Sequence, residues 1–131
     1  MNLLLDTHTF LWFAGREEAA KLPQATKNLL EAKRNVVFLS LASVWELTIK
    51  ASMGKLDLKG STRALVEFQL NHNNITLLSI SLAHLDLLET LPYLHKDPFD
   101  RLLVAQSLIE KMPLVSVDVQ LDAYGVTRIW N

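Results

Sequence analysis

Hydrophobic residues along this chain fall into short, uninterrupted runs, and longer segments with helical spacing separate most of these runs. A short apolar run without polar alternation is typical of a strand that is buried on both faces of a parallel sheet. The pattern predicts five such strands, at residues 3–5, 36–39, 76–79, 114–117 and 127–130.

Five other segments carry apolar residues at spacings of three and four, which predicts helices. These segments are residues 23–33, 41–53, 62–71, 82–88 and 98–112. In the last of them, Asp97 can cap the helix, Pro98 suits its first position and Pro113 ends it. Strands that alternate with helices in this way predict an α/β domain with a parallel sheet.

The composition indicates one folded domain over residues 1–131. Half of the residues are hydrophobic and 21% are charged, which is ordinary for a soluble domain and excludes a disordered chain. The absence of cysteine excludes a disulfide scaffold, a zinc ribbon and a thiol nucleophile. A formal net charge of -1 provides no general basic surface, so contact with nucleic acid would need a local basic patch or a bound cation.

The sequence gives no reason to expect a membrane partner. No apolar run approaches the roughly 20 residues that cross a bilayer. The first residues, MNLLLD, lack the basic flank of a signal peptide, and they suit a first strand better. We therefore expect a cytoplasmic protein.

Two of the predicted strands lead directly to an aspartate. Residues 3–5 are followed by Asp6, and residues 114–117 are followed by Asp118. Ligands of open parallel sheets bind beyond the carboxyl ends of the strands, near the point where the strand order reverses. The two carboxylates could therefore lie close together, although each one alone is better explained as a turn residue or a helix cap.

Three more acids lie in or beside predicted helices. Glu46 is in the middle of a helix, where an ion pair with Lys50 is the alternative to a functional role. Asp97 and Asp100 both suit the first turn of the helix that starts at Pro98. Capping explains Asp97 fully but Asp100 less completely, because the stretch from 95 to 101 is unusually rich in charge.

Taken together, the acids in apolar surroundings suggest a metal site. Carboxylates that share a pocket repel one another and need compensation. Oxygen ligands suit Mg²⁺ or Mn²⁺, and such an ion can activate water and neutralise charge on a phosphoryl oxygen. The acids that share this setting are Asp6, Glu46, Asp100 and Asp118.

Other kinds of site have less support in the sequence. The four histidines have no metal-binding spacing, and we expect each to be a surface or turn residue: His8, His72, His84 and His95. There is no glycine-rich phosphate loop and no nucleophile elbow. A phosphatase that uses Asp6 as its nucleophile is disfavoured, because haloacid-dehalogenase-type enzymes need a second aspartate where His8 stands.

Four blocks of the sequence resemble PIN-domain proteins of the VapC toxin type. They are LLDTHTFLW from residue 4, SVWELTIK from 43 with GKL from 54, HKDPFDRLLVAQ from 95, and LVSVD from 114 with YGV from 124 and Trp130. The blocks stand in the family's order and span nearly the whole chain. The resemblance implies a three-layer α/β/α PIN domain with a parallel sheet of about five strands.

The same resemblance implies a ribonuclease that depends on one or two Mg²⁺ or Mn²⁺ ions. The family's first, second and fourth acids match Asp6, Glu46 and Asp118. The third matches Asp100, and Asp97 is the alternative, which we expect to cap the helix or to lie just outside the ligand set. Thr7 and Ser116 are expected to hydrogen-bond to the acids or to a metal-bound water, and Asp122 is a candidate for an additional acid. The candidate phosphate contacts are Lys50, Lys55, Lys96 and Arg101, and for each of them a solvated surface charge is the alternative.

The resemblance also implies partners. These are an RNA substrate, a second copy of the chain in a homodimer, and a small antitoxin whose tail inserts into the acidic groove. The alternative is a PIN-like module that binds RNA or protein without cleaving it. Turnover in the presence of metal would separate these two hypotheses.

Overall fold

The computed structural model describes residues 1–131 and contains a five-stranded sheet. The strands are Asn2–Leu5 (β1), Val36–Ser40 (β2), Ile75–Leu78 (β3), Leu114–Val115 (β4) and Arg128–Ile129 (β5). All neighbouring strands are parallel, in the order β3-β2-β1-β4-β5. The predicted parallel α/β fold is therefore confirmed.

Six α-helices surround the sheet. They are Thr7–Phe13 (α1), Gln24–Glu31 (α2), Leu41–Ser52 (α3), Thr62–His72 (α4), Leu82–Thr90 (α5) and Pro98–Glu110 (α6). The last five were predicted, and each of their ends lies within two residues of the predicted position. Two 3₁₀ turns, Ala19–Lys21 and Val119–Tyr124, complete the regular structure. No helix combines the length and the apolar character that crossing a membrane requires.

The sequence pattern missed α1, and its burial explains why. Every residue of this helix except His8 is buried, so it has no polar face to produce a helical period. Its start is nevertheless well defined, because the Asp6 side chain accepts a hydrogen bond from the backbone N–H of Thr9.

Two hydrophobic cores lie on opposite faces of the sheet. Successive side chains of a strand point to opposite faces, so Leu3 and Leu5 of β1 enter one core and Leu4 enters the other. The first core includes Phe10 of α1, Leu30 of α2 and Leu65 of α4, and the second includes residues 102–104 of α6. This arrangement is the expected three-layer α/β/α sandwich.

The strand order reverses between β1 and β4. From β1 the chain adds β2 and β3 on one side, and it later adds β4 and β5 on the other side. The two central strands end next to one another, since the carbonyl of Val115 accepts from the backbone N–H of Asp6 at 3.2 Å and from Thr9 Oγ1 at 3.0 Å. Such a reversal point is where open α/β sheets bind their ligands.

Candidate active site

Asp6 lies at the carboxyl end of β1, directly at this reversal point. Its side chain is 6% exposed, and its Oδ1 accepts a hydrogen bond from the Thr9 backbone N–H at 2.8 Å. Burial raises the pKa of the Asp6 carboxyl, while hydrogen bonds from Ser116 and Thr9 act in the opposite direction. Asp6 is therefore a helix cap, as its position in the sequence suggested, and also a buried carboxylate.

Glu46 points from α3 into the protein, where donors meet both of its oxygens. Thr7 Oγ1 donates to Oε1 at 2.7 Å, and Lys50 Nζ lies 2.7 Å from Oε2. The Ser43 hydroxyl lies 2.9 Å from Thr7 Oγ1 and extends this group. The ion pair between Glu46 and Lys50 that the sequence suggested is present. Glu46 is buried, however, so the pair does not lie on an exposed helix face.

The start of α6 brings two more acids to the site. Asp97 Oδ1 accepts from the backbone N–H groups of Phe99 at 2.8 Å and Asp100 at 3.1 Å, so Asp97 caps the helix. Burial, together with the charges of Asp97, Asp6 and Glu46, raises the pKa of Asp100 to about 7. Asp100 therefore shares one electrostatic environment with three other carboxylates.

Asp118 follows β4 and caps the 3₁₀ turn at Val119–Tyr124. Its Oδ1 accepts from the Gln120 backbone N–H at 2.9 Å, and its own backbone N–H donates to Ser116 Oγ at 3.1 Å. Ser116 is fully buried. Because Ser116 also lowers the pKa of the Asp6 carboxyl, this serine acts on both aspartates that follow the central strands.

A histidine also lies among the acids, at a position that the sequence pattern did not indicate. His95 Nε2 is 2.9 Å from Asp118 Oδ2 and 3.6 Å from Asp100 Oδ2. Ligand atoms of these three residues all lie within 4.8 Å of one another. The expectation of a surface or turn histidine was wrong here, because contacts with residues far along the chain decide where His95 points. The dense charge of the stretch from 95 to 101 was the signal that could have indicated it.

His84 also differs from that expectation. It is 1% exposed, its Nε2 lies 2.8 Å from Glu110 Oε2, and its Nδ1 accepts from the Ser81 backbone N–H. This histidine therefore joins α5 to α6 inside the protein.

The remaining candidates occupy varied positions. Asp122 is paired with Arg128 through two contacts of 2.7 and 3.2 Å, and the pKa of its carboxyl is lowered mainly by this hydrogen bonding.

Arg101 was considered as a phosphate contact, but it is buried and donates to the Leu91 carbonyl at 2.9 Å. Its guanidinium carbon lies 3.9 Å from the centre of the Tyr93 ring. The guanidinium of Arg101 thus makes its contacts within the protein.

Three of the four candidate phosphate contacts, Lys50, Lys55 and Lys96, are accessible to solvent. Lys50 and Lys55 line a cleft of about 250 Å³ together with Thr7 and His8. Lys96, next to His95, is exposed. Of the four candidates, these three could contact an anionic molecule from solvent.

The residues present fit a divalent cation. The carboxylates of Asp100 and Asp118 lie close together, and the negative charges of Asp97, Asp6 and Glu46 contribute to holding the pKa of Asp100 at about 7. A cation among them would offset this repulsion, and carboxylate oxygens are the donors that Mg²⁺ and Mn²⁺ prefer. The acidic cluster therefore has the chemistry of a metal site.

Several solved structures of known proteins have a similar fold. The crystal structure of VapBC2 from Rickettsia felis bound to a promoter DNA fragment has a TM-score of 0.76 and 18% identity, with 100% of both chains covered. VapC20 of Mycobacterium tuberculosis, a sarcin-ricin loop cleaving toxin, has a TM-score of 0.68 and 12% identity, with 98% of this chain and 99% of that chain covered. A toxin–antitoxin complex from Klebsiella pneumoniae has a TM-score of 0.62 and 15% identity, with 97% and 95% covered.

At these identities the likeness concerns the fold. No curated protein matches the chain significantly. The family model for the PIN domain, however, matches residues 3–126, which is nearly the whole chain. This chain therefore belongs to the PIN-domain family.

Proposed function

We propose that residues 1–131 form a single PIN domain that acts as a divalent-metal-dependent endoribonuclease, the toxin of a toxin–antitoxin pair. The observation that carries the proposal is the gathering of four carboxylates around the reversal point of the sheet, two of them buried and two partly exposed. They come from four separate segments of the chain and are Asp6, Glu46, Asp100 and Asp118. A structural role alone does not explain why a fold would gather so many mutually repelling charges.

The acids would divide the work between them. Asp6, Asp100 and Asp118 would hold one or two Mg²⁺ or Mn²⁺ ions. Such an ion, when bound, lowers the pKa of a water molecule and stabilises charge that develops on a phosphoryl oxygen. Glu46 would serve as a further ligand or as the acceptor that orients the attacking water.

Neighbouring groups would keep this arrangement in place. The Thr7 hydroxyl and the Lys50 ammonium fix the two oxygens of Glu46. Asp97 would remain the cap of α6 and act on the site through its charge, since its Oδ1 is occupied by two backbone N–H groups. Ser116 would help to position Asp6 and Asp118 relative to one another.

The proposed substrate is RNA, and the accessible cations support an anionic substrate. Lys50 and Lys55 in the cleft beside Thr7 would contact phosphates that flank the scissile bond. Lys96, in the segment before α6, would contact the RNA backbone as well. Without metal, the acids would repel the same phosphates, which makes metal binding a condition for substrate binding.

The proposed partners are a second copy of this chain and a small antitoxin. Support for the antitoxin comes from the likeness in fold to VapBC2 and to the toxin–antitoxin complex from Klebsiella pneumoniae. Light scattering on the purified protein measures whether it forms the homodimer.

Cleavage of a mixed RNA pool tests the proposed function. The pool is incubated with purified protein and Mg²⁺, Mn²⁺ or a chelator, and Asp6→Asn is compared with Asp86→Asn. Asp86 lies exposed on α5, so this control removes one carboxylate outside the cluster. We expect cleavage that needs metal, disappears in Asp6→Asn and persists in Asp86→Asn. Folded protein that neither binds metal nor cleaves RNA would instead indicate a non-catalytic RNA- or protein-binding module.

A further inference from the structure

The two ring nitrogens of His95 face different partners within the acidic cluster. Nε2 is 2.9 Å from Asp118 Oδ2 and 3.6 Å from Asp100 Oδ2. Nδ1 lies 3.1 Å from the backbone nitrogen of Asp97. Since the side chain is only 11% exposed, these partners and not bulk water determine which nitrogen carries the hydrogen.

The surroundings of Nε2 alone are compatible with two roles. A lone pair on Nε2 would make His95 a metal ligand beside Asp100 and Asp118, and the distances permit this. A hydrogen on Nε2 would make His95 a donor to the Asp118 carboxylate. A neutral imidazole has one donor and one acceptor nitrogen, so the contact at the other nitrogen distinguishes the two roles.

The contact at Nδ1 favours the donor role. A backbone N–H can only donate, so Nδ1 accepts from Asp97 and the hydrogen of the neutral ring is assigned to Nε2. Histidines that ligate metals show the opposite pattern, because their second nitrogen donates to a carboxylate, a carbonyl or water. If Nε2 of His95 bound a metal, the N–H at Nδ1 would point at the N–H of Asp97.

The backbone around His95 is held in a way that preserves this pattern. Tyr124 Oη accepts from the backbone N–H groups of Leu94 at 3.1 Å and His95 at 3.0 Å. On the other side, the Asp97 side chain caps α6. The N–H that faces Nδ1 therefore belongs to a segment that is fixed on both sides.

We infer that His95 is a positioning residue, which donates its Nε2 hydrogen to Asp118 and stays outside the metal's ligand set. This inference rests on the proposed metal-dependent function. Asp118 Oδ1 already accepts from Gln120, so His95 supplies the donor for the second oxygen. Each carboxylate oxygen has a further lone pair, so Asp118 remains able to bind a cation. The contact also ties the segment before Asp100 to the segment after β4.

Side-chain ¹⁵N NMR of metal-free protein at about pH 8 tests the assigned tautomer. The resonances of His95 are those that disappear in His95→Gln. We expect a protonated Nε2 and an unprotonated Nδ1, both unchanged when Mg²⁺ is added. A protonated Nδ1, or a switch to it with Mg²⁺, would overturn the inference. If the wild type binds no divalent metal, the nuclease proposal fails, while the tautomer still decides whether His95 donates to Asp118.

Mn²⁺ affinity, measured by calorimetry, tests the positioning role. Loss of a partner of a metal-ligating residue typically costs about 10- to 100-fold in affinity, so we expect His95→Ala to weaken binding by about tenfold. In His95→Gln the side-chain amide can donate to Asp118, and we expect affinity within about threefold of the wild type. His72→Ala, on the exposed end of α4, is the matched control and is expected to have no effect.

Two results would contradict this role. The first is an equal loss of Mn²⁺ affinity in His95→Gln and His95→Ala while both variants keep the wild-type melting temperature. The second is a directly bound histidine nitrogen in the pulsed EPR spectrum of the Mn²⁺ complex that is lost in His95→Gln.

Discussion

Thr7 Oγ1 lies 2.7 Å from Glu46 Oε1, and this hydrogen bond joins the residue after Asp6 to the middle of α3. Glu46 is 4% exposed, and Lys50 pairs with its other oxygen. A buried carboxylate without donors is costly, so the hydroxyl and the ammonium together allow α3 to present a charge toward the reversal point. Of two consecutive residues, Asp6 thus caps a helix locally, and Thr7 bonds to a residue far along the chain.

Replacing Thr7 with valine removes the hydroxyl and nearly preserves the shape. We expect Thr7→Val to lower the free energy of unfolding by about 1–3 kcal/mol, because Oε1 of Glu46 loses its donor in a buried setting. Urea denaturation measures the change. Thr48→Val, at an exposed position of α3 where the hydroxyl bonds only to the Val44 carbonyl, is the control and should change stability far less. Equal losses in the two variants would contradict the importance of the pair.

Asp100 should make the metal-free protein less stable as the pH rises. Its pKa is raised from 3.8 to about 7 in the folded state, mainly by burial and then by the charges of Asp97, Asp6 and Glu46, against the influence of His95. The folded protein therefore keeps a proton that the unfolded chain releases, and the free energy of unfolding falls between about pH 4 and pH 7.

Asp100→Asn removes this dependence. We expect the variant to gain stability relative to the wild type across that pH range, by about 2–4 kcal/mol at neutral pH in the absence of metal. Denaturation curves at several pH values, in chelator, measure the difference. A constant difference at all pH values would show that Asp100 titrates normally.

Metal binding should depend on the same proton. A ligating carboxylate must be ionised, so protons compete with the cation below the pKa of Asp100, which is about 7. We expect the affinity for Mg²⁺ or Mn²⁺ to fall by about tenfold or more between about pH 7.5 and pH 5.5. Calorimetric titration measures it, and affinity that is independent of pH over this range would argue against Asp100 as a ligand.

The two lysines of the cleft should differ in importance. Lys50 Nζ is 2.7 Å from Glu46 Oε2, and the pKa of Lys50 is raised chiefly by this hydrogen bond, whereas Lys55 is exposed and has no ion pair. We expect Lys50→Met to lower kcat/KM for RNA by about tenfold, as loss of a charge-assisted hydrogen bond implies. Lys55→Met, which removes one equal charge from the same cleft, should have an effect of about threefold or less. The reverse order would indicate that Lys55 makes the main phosphate contact.

Ser116 and Asp122 were both candidates for supporting roles, and their surroundings predict different outcomes. Ser116 is buried, its hydroxyl accepts from the backbone N–H of Asp118, and it lowers the pKa of the Asp6 carboxyl, so Ser116→Ala should weaken metal binding by about tenfold. Asp122 is half exposed and paired with Arg128, so Asp122→Asn should leave metal affinity unchanged. Metal titration of both variants checks this, and a loss in Asp122→Asn would return that acid to the site.

The pattern of residues was enough to predict an α/β domain with a parallel sheet. Strands buried on both faces need uninterrupted apolar runs, and helices on a sheet need an apolar stripe, so both leave a pattern in the order of residues. The same logic indicated that Asp6 and Asp118 could lie close together, because parallel strands end at one edge. Helix α1 escaped prediction for the opposite reason, since a helix that is buried almost all round has no stripe.

Only the tertiary structure decided where individual side chains in irregular segments point. His95 meets Asp118, which lies 23 residues further along the chain, and Arg101 turns back to the Leu91 carbonyl. No local pattern specifies such contacts, because they depend on the strand order and on how α6 packs against the sheet. The sequence by itself determined which acidic residues could lie near the reversal point. The packing of distant segments decided which of them share one pocket, because the energy of a buried charge depends on neighbours in space and not along the chain.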